Sequence, residues 1–202
     1  MALLDWISIE SGPRLEGAGV RLRPPRAADY DSWRDLREVS REFLQPWERT
    51  WPADDLSRAA FRRRLTAYAR DREAGQAYPF FVFREGDEAL TGGITLSNVR
   101  RGVAQMGSVG YWCGRPFTRN GYTLAAVKAI ADFSFYTLGL HRLEAACIPQ
   151  NGPSRKLLRQ AGFVEEGEAK AYLKINGVWS DHVLFGLVSP VCDQWPDEGV
   201  SV

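Results

Sequence analysis

Between residues 107 and 163 the sequence twice runs from a strand-like segment, through a loop of small or turn-prone residues, into a helical one. GSVGYWCG leads into PFTRNGYT and a helical run, and HRLEAACI leads into NGPSRKLLRQAGF. Each such transition leaves backbone N–H groups without intrahelical partners, and the helix N-terminus adds partial positive charge. A site of this kind can hold a phosphorylated ligand without basic side chains. The second loop, starting at Asn151, would deliver side chains to the same region, so the two read as parts of one ligand site.

Those loops need a framework to hold them. GVRLRPP reads as a first strand, with Val20 and Leu22 on one face and Arg21 and Arg23 on the other. A helix is predicted over 28–42, with Trp33, Leu36 and Val39 at helical spacing. FLQPWERTWPADD, with two prolines and two tryptophans, is a loop whose aromatics either anchor it to the core or form a substrate rim. Asp54 or Asp55 is expected to cap the next helix, which runs to about Arg72 with Leu56, Ala60, Leu65 and Tyr68 inward. FFVF and LTGGITL are strands joined by a turn at Glu85-Gly86-Asp87, and AQMGSVGYWC is a third strand that ends at the first loop. A helix over 123–138 stops at Gly139, HRLEAACI is a strand, and Pro153 opens a short helix that ends at Gly162. AYLKINGVWSDHVLFGLV closes the pattern as a hairpin turning at Asn176-Gly177. The order β-α-α-β-β-β-α-β-α-β-β predicts an α/β fold with a mixed sheet flanked by helices. Residues 1–18 are an N-terminal extension, 19–189 a single domain, and 190–202 a fraying tail.

The composition narrows the functions this framework can serve. At 202 residues, 45% hydrophobic and 25% charged, the chain suits one soluble domain with a proper core. A net charge of +1 gives no overall pull toward nucleic acid. Arg62, Arg63 and Arg64, followed by Arg70 and Arg72, read as a solvated helix face rather than a phosphate patch. No apolar run reaches the ~18 residues of a membrane span. MALLDWISIE carries acids and lacks a basic start, so it makes a poor signal peptide and a cytoplasmic setting is expected. Three widely spaced cysteines, Cys113, Cys147 and Cys192, read as reduced thiols. Only two histidines, His141 and His182, are present, with no paired Cys/His spacing, so no metal is expected.

At this level of detail, residues 19–189 resemble the GNAT superfamily of acyl-CoA-dependent N-acetyltransferases. GYW-x-GRPFTRNGYTLAA, HRLEAACIPQNGPSRKLLRQAGF and INGVWSDH are similar to its RimJ/RimL branch, which acetylates the N-termini of ribosomal proteins. The resemblance implies a GNAT-like, mostly antiparallel twisted sheet, with acetyl-CoA as cosubstrate. Its pyrophosphate loop corresponds to Thr118, Arg119, Asn120, Gly121, Tyr122 and Thr123, where Gly121 matches the family pattern and Thr118 and Thr123 depart from it. Tyr111, Trp112 and Cys113 would flank the pantetheine arm and thioester, with a backbone N–H polarising the acetyl carbonyl. Asn151 corresponds to an asparagine that hydrogen-bonds the cofactor, and Ser154 to a serine near the sulfur.

The chemistry implied is attack of an amine on a thioester, with a proton to remove and a thiolate to protonate. Many relatives place a glutamate base where this chain has Ser108 and a tyrosine acid where it has Leu158, so neither role transfers. Ser154 is then the candidate acid or thiolate hydrogen-bond donor, against a plain helix-capping role. Glu144 is the candidate base or water-orienting carboxylate, unless strand alternation turns it to solvent. Glu166 is a candidate to bind the acceptor's ammonium, against a plain surface-charge role with Glu165 and Glu168. These three with Asp181 are available to form an acidic groove for a basic acceptor tail. A Cys113 acyl-enzyme is the lesser reading beside direct transfer in a ternary complex. The leading expectation is acetylation of a protein N-terminus, with a ribosomal protein as acceptor. A small amine (polyamine, amino sugar or antibiotic) is one alternative, and a non-catalytic acyl-CoA-binding or assembly protein is the other.

Overall fold

The computed structural model describes residues 12–191, so MALLDWISIE, Cys192 and most of the expected tail lie outside the described residues. An eight-stranded sheet runs in the order β1-β2-β3-β4-β5-β6-β8-β7. Its strands are β1 (Leu15–Gly17), β2 (Val20–Arg23), β3 (Tyr78–Arg84), β4 (Leu90–Arg100), β5 (Met106–Cys113), β6 (Arg142–Cys147), β7 (Val164–Ile175) and β8 (Val178–Val188). The α/β class and the mixed, mostly antiparallel sheet hold: β5 and β6 are parallel, and the other six neighbour pairs are antiparallel. β1 is an addition to the expected order. Assigned to the N-terminal extension, Leu15 in fact pairs with Leu22 in a hairpin at the sheet edge.

Alternation on β3 explains why both faces are covered. Phe80 and Val82 join a core with Ala126, Val127 and Ile130 of helix α3 (Tyr122–Asp132). Phe81 and Phe83 point the other way, to Trp33 and Leu36 of α1 (Tyr30–Val39) and Phe61 and Leu65 of α2 (Arg58–Glu73). The Trp33 and Phe61 rings lie 4.7 Å apart at the centre of that second core.

Helix boundaries differ from the sequence reading where side chains compete for the backbone. The helix expected over 28–42 breaks at buried Ser40, whose Oγ accepts a hydrogen bond from the Arg115 N–H at 2.9 Å. That bond ties α1 to the loop after β5. Neither Asp54 nor Asp55 caps α2. Ser57 does, its Oγ accepting from the Ala60 N–H at 3.0 Å, because residues 54–57 close a turn of their own through Ser57 N–H to Asp54 C=O. The two aspartates bind arginines instead: Asp54 holds Arg63, and Asp55 holds Arg49 and Arg64. Arg63 and Arg64 of the basic run are thus engaged within the domain.

Helix α3 keeps the expected end. After Asp132 its last turn widens, Leu138 N–H bonding the Phe133 carbonyl, and Gly139 at φ 64° terminates it. Helix α4 (Gly152–Gln160) carries Pro153 in its first turn and gives way at Gly162, as expected, with Asn151 as its N-cap. The closing hairpin turns at Asn176-Gly177, but β7 begins eleven residues before Ile175, at Val164, and is bulged twice.

Candidate active site

β5 and β6 pair only from Met106–Arg142 to Ser108–Glu144. Beyond Ser108, β5 runs to Cys113 paired with β4 alone, its other edge free, while β6 follows β8 to Cys147. The parallel strands therefore splay, and a cavity of about 920 Å³ opens between them. Residues 109–113 form one wall and Ala145, Ala146, Cys147 and Ile148 the other. In an extended strand successive N–H groups point to opposite edges, so the free end of β5 turns backbone N–H into this gap.

At the mouth sit the two loop–helix transitions. Arg119 and Gly121 both adopt left-handed backbone, φ 64° and 81°, which reverses the chain into α3. Gly121 is the N-cap and has no side chain to offer, so the first-turn N–H groups keep no capping partner. Asn120 stiffens the loop, its Nδ2 donating to the Thr118 carbonyl at 3.1 Å. Thr118, Arg119 and Thr123 line the cavity; Asn120, Gly121 and Tyr122 shape the loop without lining it. Room for the nonstandard Thr123 comes from its half-buried place in the cavity wall, which it shares with Cys113. A free helix N-terminus, the basic Arg115 and Arg119, and a long, mostly apolar trench suit a phosphorylated cosubstrate with an extended arm.

Deeper in, Tyr111, Cys147, Asn151 and Ser154 converge. Asn151 is the cap of α4, its Oδ1 accepting from the Ser154 N–H at 3.1 Å. That disposes of a capping role for the Ser154 hydroxyl, which instead meets the Tyr111 hydroxyl at 2.7 Å. Burial pushes the Tyr111 phenol up to about 12, against the opposing pull of Ser154, so it stays protonated. Burial also pushes up the Cys113 and Cys147 thiols. Both are poor nucleophiles at neutral pH, which argues against an acyl-enzyme on Cys113. His182 packs against Tyr172 and also lines the cavity.

Two expected site residues are not brought there. Glu144 alternates with core residues Leu143 and Ala145, so it faces away from them and pairs with Arg142 and Arg100. Glu166 bonds Arg142 and is held below the usual carboxylate range by it. The expected acidic groove is internally neutralised: Glu165 holds Arg155 and Arg159, and Glu168 and Asp181 share Lys170.

The sequence reading missed a second cavity of about 420 Å³ on the α1–α2 side. It shares Trp47, Glu48, Gly110, Tyr111, Trp112 and Ile175 with the first, so the two meet at the free end of β5. Trp51, in the two-proline loop, is both anchor and wall: it is buried and lines the cavity, with Nε1 donating to Glu48 at 2.8 Å. Glu48 is gripped by the buried Arg37 through two bonds, at 2.7 and 2.6 Å. The Arg37 guanidinium in turn lies 4.1 Å from the Trp51 ring centroid and 4.9 Å from that of Trp112. The hairpin tip closes over this loop, Asn176 N–H bonding the Glu48 carbonyl at 2.8 Å. An acid set between tryptophans in WERTW was the available signal.

Comparison with known proteins bears on what two such cavities do. The Acetyltransferase (GNAT) domain family matches residues 20–164. The probable N-acetyltransferase YjcK of Bacillus subtilis (strain 168) is 32% identical over 180 residues, 89% of this chain and 99% of the relative. The [ribosomal protein uS5]-alanine N-acetyltransferase of Escherichia coli (strain K12) is 34% identical over 164 residues, 80% of this chain and 84% of the relative. Among solved structures, Mycobacterium smegmatis RimJ in complex with CoA-disulfide has a TM-score of 0.82 at 30% identity, covering 90% of this chain and 88% of that one.

Proposed function

The chain belongs to the GNAT family and is an acetyl-CoA-dependent N-acetyltransferase, and from that premise we propose that it acetylates a protein N-terminus, with a ribosomal protein as acceptor. The observation that carries this reading is the meeting of two cavities at one strand end. The splayed side takes the acyl donor. The α1–α2 side takes the acceptor and gives it a direct line to the thioester. Work in the cytoplasm, where ribosomal proteins are made, accords with this acceptor.

Transfer is direct. An α-amino group has an ordinary pKa near ~8, against ~10.4 for a lysine side chain, so a useful share is neutral at pH 7 to 8. Its nitrogen attacks the acetyl carbonyl carbon and sheds a proton to water. Backbone N–H from residues 111–113 stabilises the oxyanion in the strand gap. As the C–N bond forms and the C–S bond breaks, Ser154 donates a proton or a hydrogen bond to the departing thiolate. The Tyr111 hydroxyl, 2.7 Å away, holds Ser154 in place. Asn151 fixes the first turn of α4, and its Nδ2 remains available to the cosubstrate.

The test is acetyl transfer to N-terminal peptides of ribosomal proteins beside a panel of small amines, read by intact mass. Peptides should be turned over with the higher kcat/KM, and the acetyl should sit on the α-amine. Equal or better turnover of a small amine overturns the acceptor assignment.

A further inference from the structure

The donor cavity has one carboxylate in its wall among the described residues, and it is Glu48, a residue outside every expected catalytic position. The acceptor cavity has two, Glu48 and Asp55, and Asp55, whose Oδ1 binds Arg49 and Arg64, does not line the donor cavity. Glu48 alone lines both. We propose that the Glu48 carboxylate receives the acceptor's amino group and aims its lone pair at the thioester, a step that rests on the acceptor reading above.

The surroundings of Glu48 are built for orientation. Its two oxygens accept three hydrogen bonds, two from Arg37 and one from Trp51. A carboxylate offers about four such positions, so one remains. The side chain is 23% exposed while Arg37 is 6% exposed, so the pair presents its acidic end and hides its basic one. Burying an ion pair costs desolvation that an apolar pair of the same shape avoids. Anchoring the loop therefore does not by itself call for these two residues; a charge held at a fixed point does.

The position suits an amine. Trp47 and Trp112 share the junction with Glu48, and aromatic faces attract cations. Gly110 contributes no side chain where the two cavities meet, which leaves room for a chain terminus to pass. Arg37 and the Trp51 indole occupy three of the carboxylate's positions, so what Glu48 presents to the junction is a single acceptor for N–H.

The experiment compares an acceptor peptide with its desamino analogue, which lacks only the α-amine, as competitors for acetylation by the wild-type enzyme and by Glu48→Gln. Wild type should hold the amino form about tenfold or more tightly than the desamino form, one charge-assisted hydrogen bond's worth. Glu48→Gln should raise the peptide KM about tenfold, erase that preference, and leave acetyl-CoA affinity within about twofold. Glu48→Asp should recover part of the preference. Equal binding of both peptides by wild type overturns the proposal without any variant, as does a preference that survives in a folded Glu48→Gln protein. If wild type acetylates only a small amine, the acceptor reading fails separately, and the same comparison with that amine and its deaminated analogue decides Glu48.

Discussion

The donor and acceptor sides of this site are built from different materials. On the donor side the chain uses backbone: the splayed end of β5, the left-handed Arg119 and Gly121, and the uncapped start of α3. On the acceptor side it uses side chains from distant positions, with Arg37 on α1, Glu48 and Trp51 in the following loop, and Trp112 on β5. Backbone recognition tolerates substitution, because any residue supplies an N–H. A stacked ion pair tolerates little. The two halves should therefore respond to mutation in opposite ways.

The harshest break is Arg37→Met. It leaves Glu48 partly buried opposite an apolar group, strips the Trp112 ring of its Arg37 cation and leaves Trp51 with Arg41 alone. Removing one partner of a buried pair costs about 3–5 kcal/mol, here toward the lower end because Glu48 is only partly buried. Denaturant unfolding should show that loss. In protein that remains folded the acceptor KM should rise while acetyl-CoA affinity holds. Unchanged stability would mean the pair is idle.

Ser154→Ala tests the donor side where it touches the junction, at the Tyr111 hydroxyl. Loss of a general acid or thiolate hydrogen bond should lower kcat about a hundredfold with little change in either KM. Because Asn151 caps α4 through the Ser154 backbone, the helix should stay intact. A kcat within about threefold of wild type would reduce Ser154 to a partner of Tyr111.

On the donor side, Gly121→Val places a β-branched residue at φ 81°, a strain of about 1–3 kcal/mol. No atom lies within 4 Å of the added Cβ, so the penalty is conformational rather than steric. Acetyl-CoA affinity should fall about tenfold by titration calorimetry, with acceptor KM unchanged. If both shift together, the loop and the acceptor cavity are mechanically joined.

Tyr111 is shared by both cavities, and its raised pKa carries a stability signature. Folded Tyr111 keeps its proton to about 12, whereas the unfolded phenol loses it near ~10. Its contribution is thus complete below pH 10 and declines as pH rises from 10 to 12. Tyr111→Phe should flatten that decline relative to wild type; parallel stability curves would place the phenol in contact with water.

This contrast also governs what the sequence made legible. Strand–loop–helix order, Gly121, Asn151 and Ser154 are local signals, and the structure assembles them around one cavity. Glu144 misled because its setting depends on strand phase, and Glu166 because its partner Arg142 stands 24 residues away in the chain. Ser57 displaced Asp54 and Asp55 as the α2 cap because a turn intervened. Arg37 and Glu48 stand eleven residues apart across a helix break, so their pairing needs the fold before it can be seen.

The smallest expected effect concerns Thr123, where the resemblance alone would forecast damage because the family pattern has a small residue. The structure supplies a place for its side chain, half-buried in the cavity wall with Cys113. Thr123→Gly should therefore not improve acetyl-CoA binding. It adds backbone freedom to the first turn of α3, a cost of about 0.5 kcal/mol relative to threonine, and removes a wall contact. Affinity should fall within about threefold, measured by the same titration as Gly121→Val. A gain of tenfold would mean that Thr123 obstructs the pyrophosphate and that backbone recognition in this chain is compromised by a side chain after all.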